Sequence, residues 1–210
     1  MASSVERMGI LRELDDLARN ARSEPQYNDA IILLASEFLG TQPYCDYHDS
    51  RGLAFWRKGE YSRAFEDLSA ALALNPNCPH ATSHKAELLY LFGQDDSAEQ
   101  LYQRLFGLME KNPKIHEEYK YRALVFLGDI ALGRNKRQEA LTFCAQVPSE
   151  SEYYADAQDL IEKINRIRQL PAMTEHCDRY ISPHARPAMI EWSGGYLSDP
   201  SAKLVNPFTL

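Results

Sequence analysis

The sequence predicts an all-α protein: a solenoid of about four helix-turn-helix repeats, a C-terminal capping helix, and an extended proline-rich tail. Three observations predict it. Apolar residues recur at helical spacing along most of residues 1–170. Small residues stand at Ala30, Ala64 and Ala98, 34 residues apart each time, and turn and terminator residues repeat with them. A single amphipathic hairpin also cannot bury both of its faces, so it needs copies of itself as neighbours.

The chain opens on Ser3-Ser4-Val5-Glu6, which has capping-box form and starts a first helix. Ile10, Leu11, Leu14, Leu17 and Ala21 place one apolar stripe on that helix. Ser23-Glu24-Pro25 breaks it and starts the next, with proline tolerated where the N–H is unpaired anyway. Tyr27, Ala30, Ile31, Leu34 and Phe38 carry the second helix, which stops at Gly40 and Pro43, giving a first hairpin over residues 11–44. The second hairpin, Cys45 to Cys78, turns at Arg57-Lys58-Gly59-Glu60 and ends at Asn75-Pro76. Gly52, Ala64 and Ala71 are its close-approach residues, with Phe55, Trp56, Tyr61, Phe65, Leu68, Leu72 and Leu74 around them.

Residues 79–112 form a third hairpin, with Ala86, Leu89, Ala98, Tyr102 and Leu105 in matching places and its turn at Gly93-Gln94-Asp95. An insert, Pro113 to Lys120, moves the register before a fourth hairpin over 121–148. Leu124, Leu127, Gly128 and Ala131 belong to its first helix; Ala140, Leu141 and Cys144 belong to its second, cut short at Pro148. Ser149-Glu150-Ser151-Glu152 caps a last helix, about 151–170. Tyr153, Ala157, Leu160, Ile161 and Ile164 lie on one side of it and Asp156, Asp159, Glu162, Lys163 and Arg166 on the other. From Pro171 onward prolines and Gly194-Gly195 exclude a long helix. Apolar anchors such as Trp192, Leu204 and Phe208 make residues 171–210 read as an irregular strap that packs on this chain or on a partner.

Composition narrows the function. A net charge of -7 with no basic stripe argues against nucleic acid or an anionic membrane as partner. The longest apolar run, Ala30 to Ala35, is far short of the ~20 residues of a membrane span. The N-terminus lacks a signal-peptide apolar core, so the expected location is cytoplasmic. No phosphate-cradling glycine loop, nucleophile elbow or H-E-x-x-H occurs, so neither an enzyme nor a cofactor is expected. His80 and His84 share a helix face, with His48 on the preceding hairpin, but a metal needs further ligands and a supporting shell, so no metal ligand is assigned. Four scattered cysteines read as buried hydrophobes or free thiols. Cys45 and Cys78 stand at the two ends of one hairpin, which leaves a bridge between them open.

The second hairpin resembles a tetratricopeptide repeat. Arg51-Gly52, Phe55, Gly59, Ala64, Leu68, Ala71 and Pro76 occupy the family's pattern positions, and His48 and Arg51 stand where bulky apolar residues are usual. The third hairpin has Lys85-Ala86 at the Leu-Gly place and the fourth restores Leu127-Gly128. The first rests on Tyr27, Ala30 and the spacing. The resemblance covers about residues 11–148 and implies a right-handed superhelix whose first helices line a concave groove for a peptide or protein. Projected onto this chain, the groove holds Asp15 and Arg19, then Asp46, Asp49, Leu53 and Trp56, then His80, Ser83, Glu87 and Tyr90, then Arg122 and Asp129. The Lys and Asn of family members that clamp a chaperone's C-terminal carboxylate are replaced by Asp15, Arg19 and Asp49, which argues against that ligand.

The expected job is therefore an intracellular protein-interaction module, an adaptor or chaperone-like protein. The alternative is a constitutive subunit of a larger complex, docked through its tail. An enzyme or metal-binding protein on a repeat frame is a third reading, with no motif behind it.

Overall fold

A computed structural model describes residues 4–21, 23–40 and 43–169. Ser3 of the first capping box and the whole predicted strap, 171–210, lie outside them. The described residues form nine α-helices and no strand: α1 Ser4–Asn20, α2 Tyr27–Leu39, α3 Cys45–Arg57, α4 Tyr61–Leu74, α5 Pro79–Leu91, α6 Asp95–Lys111, α7 Glu118–Gly133, α8 Arg137–Cys144 and α9 Tyr154–Gln169. Among these residues no helix is long and apolar enough to cross a membrane. Contacts divide them into two compact units, residues 4–88 and 89–169, and the division falls within α5.

Three of the hairpin turns share one backbone device. Gly59 (φ 78°), Gly93 (φ 74°) and Asn135 (φ 60°) adopt the left-handed conformation, each with one residue between it and the end of α3, α5 or α7. In each, the next residue's N–H reaches five residues back: Glu60 to Phe55, Gln94 to Leu89 and Lys136 to Ala131, all at 2.9 Å. The left-handed residue itself donates three residues back, at 2.8–2.9 Å. This is the Schellman arrangement, which satisfies the last carbonyls of a helix and turns the chain sharply. Glycine takes that conformation without a Cβ penalty; asparagine is the commonest side-chain-bearing substitute.

In the first unit, α1 packs on α2, α2 on α3, and α3 on α4. Ile10, Leu14, Ala21, Ile31, Ala35, Tyr47 and Ala54 form one buried cluster; Cys45, Ala71, Cys78 and Ala81 form another. The α3–α4 crossing is tight because Gly52 faces α4: a Cβ there would lie 3.2 Å from Asp67 Cβ and Leu68 Cγ and 3.3 Å from the Ala64 carbonyl oxygen. Ala64 is fully buried, whereas Ala30 is half-buried and α2 instead buries Asn28, Ile31 and Ala35. The run Ala30 to Ala35 is apolar on consecutive positions, so periodicity does not fix which face of α2 turns inward.

In the second unit α7 is the hub, packing on α6, α8 and α9. Its core joins Leu124, Val125 and Ala131 to Ala140, Cys144 and Val147, and to Ala157, Leu160 and Ile164 of α9. Gly128 repeats the close approach, with an added Cβ meeting Leu160 Cδ2 at 3.0 Å and Cys144 Sγ at 3.1 Å. The opposite side of α9 exposes Asp159, Glu162, Lys163 and Arg166. Ahead of α9, Ser151 accepts the Tyr153 N–H at 3.1 Å while its hydroxyl donates to Glu118 at 2.7 Å, fixing the entry to the helix.

Candidate interaction site

The helical period puts Asp46, Asp49, Leu53 and Trp56 on one stripe of α3, and burial changes along it. Leu53 and Trp56, in the last two turns, are half-buried, while Tyr47, Ala54 and Phe55 of the same helix are fully buried. Asp49, one turn after Asp46, is buried and its Oδ1 lies 2.9 Å from Nδ1 of the buried His84 on α5. Ser83 and Glu87 of the same helix are also interior. His80 is exposed, as are Asp15 and Arg19 of α1, where Arg19 pairs with Asp16.

The predicted stripe of this unit thus separates into an exposed part, Asp15, Arg19 and His80, a half-buried part, Asp46, Leu53 and Trp56, and an interior part, Asp49, Ser83 and Glu87. A buried carboxylate costs several kcal/mol unless it is paired, and the His84 imidazole supplies Asp49's partner from 35 positions away in the chain. His80 and His84 do not converge: one is at the surface and the other is committed to Asp49.

In the second unit, Tyr90 is fully buried and its hydroxyl donates to the Asp129 carboxylate, which also receives Lys163 Nζ at 3.3 Å. The Tyr90 ring packs tilted on Phe126 at 5.0 Å, and Phe126 stacks on Tyr102 at 5.9 Å. Arg122 and Asp129 are half-buried on α7. Tyr90 therefore acts inside its unit as a packed aromatic with a satisfied polar tip.

The first unit also holds polar groups that the projection of groove positions did not single out. His48 and Arg51, the two departures from the repeat pattern, both turn to Asp67 on α4. Arg51 grips it with two N–H groups at 2.7 Å, His48 Nδ1 lies 2.9 Å away, and Arg51 also donates to Ser36 Oγ at 3.0 Å. The bond to Asp67 pushes the Arg51 guanidinium pKa up from its ordinary value. Lys85 donates to Ser69 Oγ at 2.9 Å over the Phe65 ring, and burial pulls its ammonium down.

One constellation has metal-ligand chemistry. Cys45 begins α3, Cys78 precedes α5, and the ligand atoms of Cys45, Asp46 and Cys78 all lie within 4.8 Å of one another. Both sulfurs are free thiols and buried. The sequence offered only the placement of the two cysteines at the ends of one hairpin; Asp46 as their common neighbour becomes visible once α3 and α5 are set side by side at their first turns.

Residues 55–117, from the last turn of α3 to the loop before α7, match the family model described as tetratricopeptide repeat. No curated protein matches the chain. Among solved structures that match is the crystal structure of MamA, 16% identical, with a TM-score of 0.42, covering 73% of this chain and 89% of that one.

Proposed function

Since the chain carries tetratricopeptide repeats, and so a protein-interaction repeat module, we propose that it is an adaptor or chaperone-like protein that holds a peptide segment or partner protein against α3. Leu53 and Trp56 carry this reading: two large apolar side chains, one helical turn apart, left only half-buried on a helix whose other large apolar residues are fully buried. Tryptophan is the side chain most enriched among residues that dominate interface energetics, because it brings large area at low entropic cost. Asp15, Arg19 and His80 supply exposed polar groups elsewhere in the same unit, of the kind that form an interface's rim. The module binds and does not catalyse in this reading, and it is supported by the repeats and by the exposure of this pair.

The test is affinity capture of the full chain from its native cell, followed by mass spectrometry. Trp56→Ala lowers recovery of the bound partner at least ~10-fold, as expected for loss of roughly 2 kcal/mol at an anchor residue. Unchanged recovery with a folded Trp56→Ala protein overturns the reading.

A further inference from the structure

We propose that Cys45, Asp46 and Cys78 form a binding site for a divalent, zinc-type metal ion that ties the start of α3 to the start of α5. This goes beyond the interaction reading and does not depend on it. Asp46 Oδ1 lies 3.6 Å from Cys45 Sγ and 3.7 Å from Cys78 Sγ. A tetrahedral ion with bonds of about 2.3 Å to sulfur and about 2.0–2.2 Å to oxygen holds its sulfur and oxygen ligands roughly 3.5–3.7 Å apart. Both sulfur–oxygen separations match the edge length of such a site, and the two sulfurs lie within 4.8 Å of each other.

Asn75 Nδ2 donates toward Cys45 Sγ at 3.7 Å, and the Ala81 backbone N–H points at Cys78 Sγ. Both sulfurs therefore receive N–H groups, as metal-bound thiolates do from their supporting shell. Each also sits at the beginning of a 13-residue helix, where the exposed amides favour negative charge. Cys45 and Cys78 are 4% and 1% exposed, so water does little to stabilise ionised sulfur. Two sulfurs with one carboxylate oxygen suit a borderline ion such as Zn²⁺ better than the oxygen-seeking Mg²⁺ or Ca²⁺.

The experiment uses reduced, metal-stripped full-length protein carrying Cys144→Ser and Cys177→Ser, titrated with Co²⁺ as a spectroscopic substitute for Zn²⁺. The expected result is saturation at a single equivalent, with a thiolate-to-cobalt charge-transfer band and the intense visible bands of tetrahedral cobalt, displaced by Zn²⁺. Cys45→Ser or Cys78→Ser removes the charge-transfer intensity of a two-thiolate site. Asp46→Asn, at a half-buried position that keeps the shape of the side chain, weakens binding at least ~10- to 100-fold. Circular dichroism of each variant separates loss of the site from loss of the fold, and Asp46→Asn carries the test if a serine variant unfolds. Absence of the charge-transfer band, bands that survive both serine substitutions, or unchanged affinity in Asp46→Asn overturns the proposal.

Discussion

Asp67 shows how a single carboxylate decides what two neighbouring residues are for. His48 and Arg51 occupy places where a repeat of this kind usually packs apolar side chains, and the structure accounts for both by their convergence on Asp67 from α3. The carboxylate is buried and Arg51 is 23% exposed, so removing its charge strands a largely desolvated cation. Asp67→Asn is expected to cost about 3 kcal/mol, the low end for breaking a buried pair because water still reaches Arg51. Urea denaturation reads this as a lower midpoint at unchanged slope; a loss below about 1 kcal/mol contradicts the pairing as a stabilising feature.

Asp156, in the first turn of α9, works in the opposite sense. Burial first, then Asp159 and Glu152, push its carboxyl up to about 7. Between its ordinary value near 4 and about 7 the folded chain binds more protons than the unfolded one, so its contribution to stability falls as pH rises through that window. Asp156→Asn is expected to raise the melting temperature above pH 7 and to leave it nearly unchanged near pH 4. Equal effects at both pH values contradict this assignment. The sequence placed Asp156 on the solvated side of its helix, and its half-burial depends on packing that helical spacing alone does not encode.

Among the elements, the hairpin turns were the most legible. Gly59 and Gly93 mark two of them in the sequence because a left-handed residue is sterically easiest for glycine. The fourth hairpin's turn was less visible, since Asn135 performs the same backbone job with a side chain attached. Two opposite substitutions follow: Gly59→Ala destabilises by about 1–2 kcal/mol through the Cβ clash of that conformation, and Asn135→Gly is neutral or slightly stabilising. Thermal melts of the two variants check the pair; destabilisation by Asn135→Gly as large as that by Gly59→Ala would mean the asparagine side chain, and not the backbone, holds the turn. Close approaches at Gly52 and Gly128 were legible for the same reason, as small residues in a repeating place. The inward face of α2 was not, because a run of consecutive apolar residues carries no periodicity to read.

At the scale of the whole molecule, the sequence specified the all-α class and the succession of helix pairs, since both follow from spacing along one chain. It specified only in part which residues of the projected stripe are accessible. Projection onto a helix face treats Asp49, Ser83, Glu87 and Tyr90 as equivalent to Leu53 and Trp56, yet the structure puts the first four in the interior. Whether a stripe residue is accessible depends on what another helix sets against it: His84 meets Asp49, and Asp129 meets Tyr90. The Cys45–Asp46–Cys78 grouping was hidden likewise, because it joins the first turns of two helices separated by a complete hairpin. The predicted strap, residues 171–210, lies outside the described residues.

The proposed seat of a partner protein is the half-buried Leu53–Trp56 end of α3, and photo-crosslinking tests it most directly. A photoreactive phenylalanine derivative placed at residue 56 in the native cell is compared with the same group at residue 33, on α2, where Leu33 is 72% exposed. The account predicts a discrete protein adduct from residue 56, identifiable by mass spectrometry, and none of the same identity from residue 33. Adducts of equal yield from both positions, or none from residue 56, would contradict it.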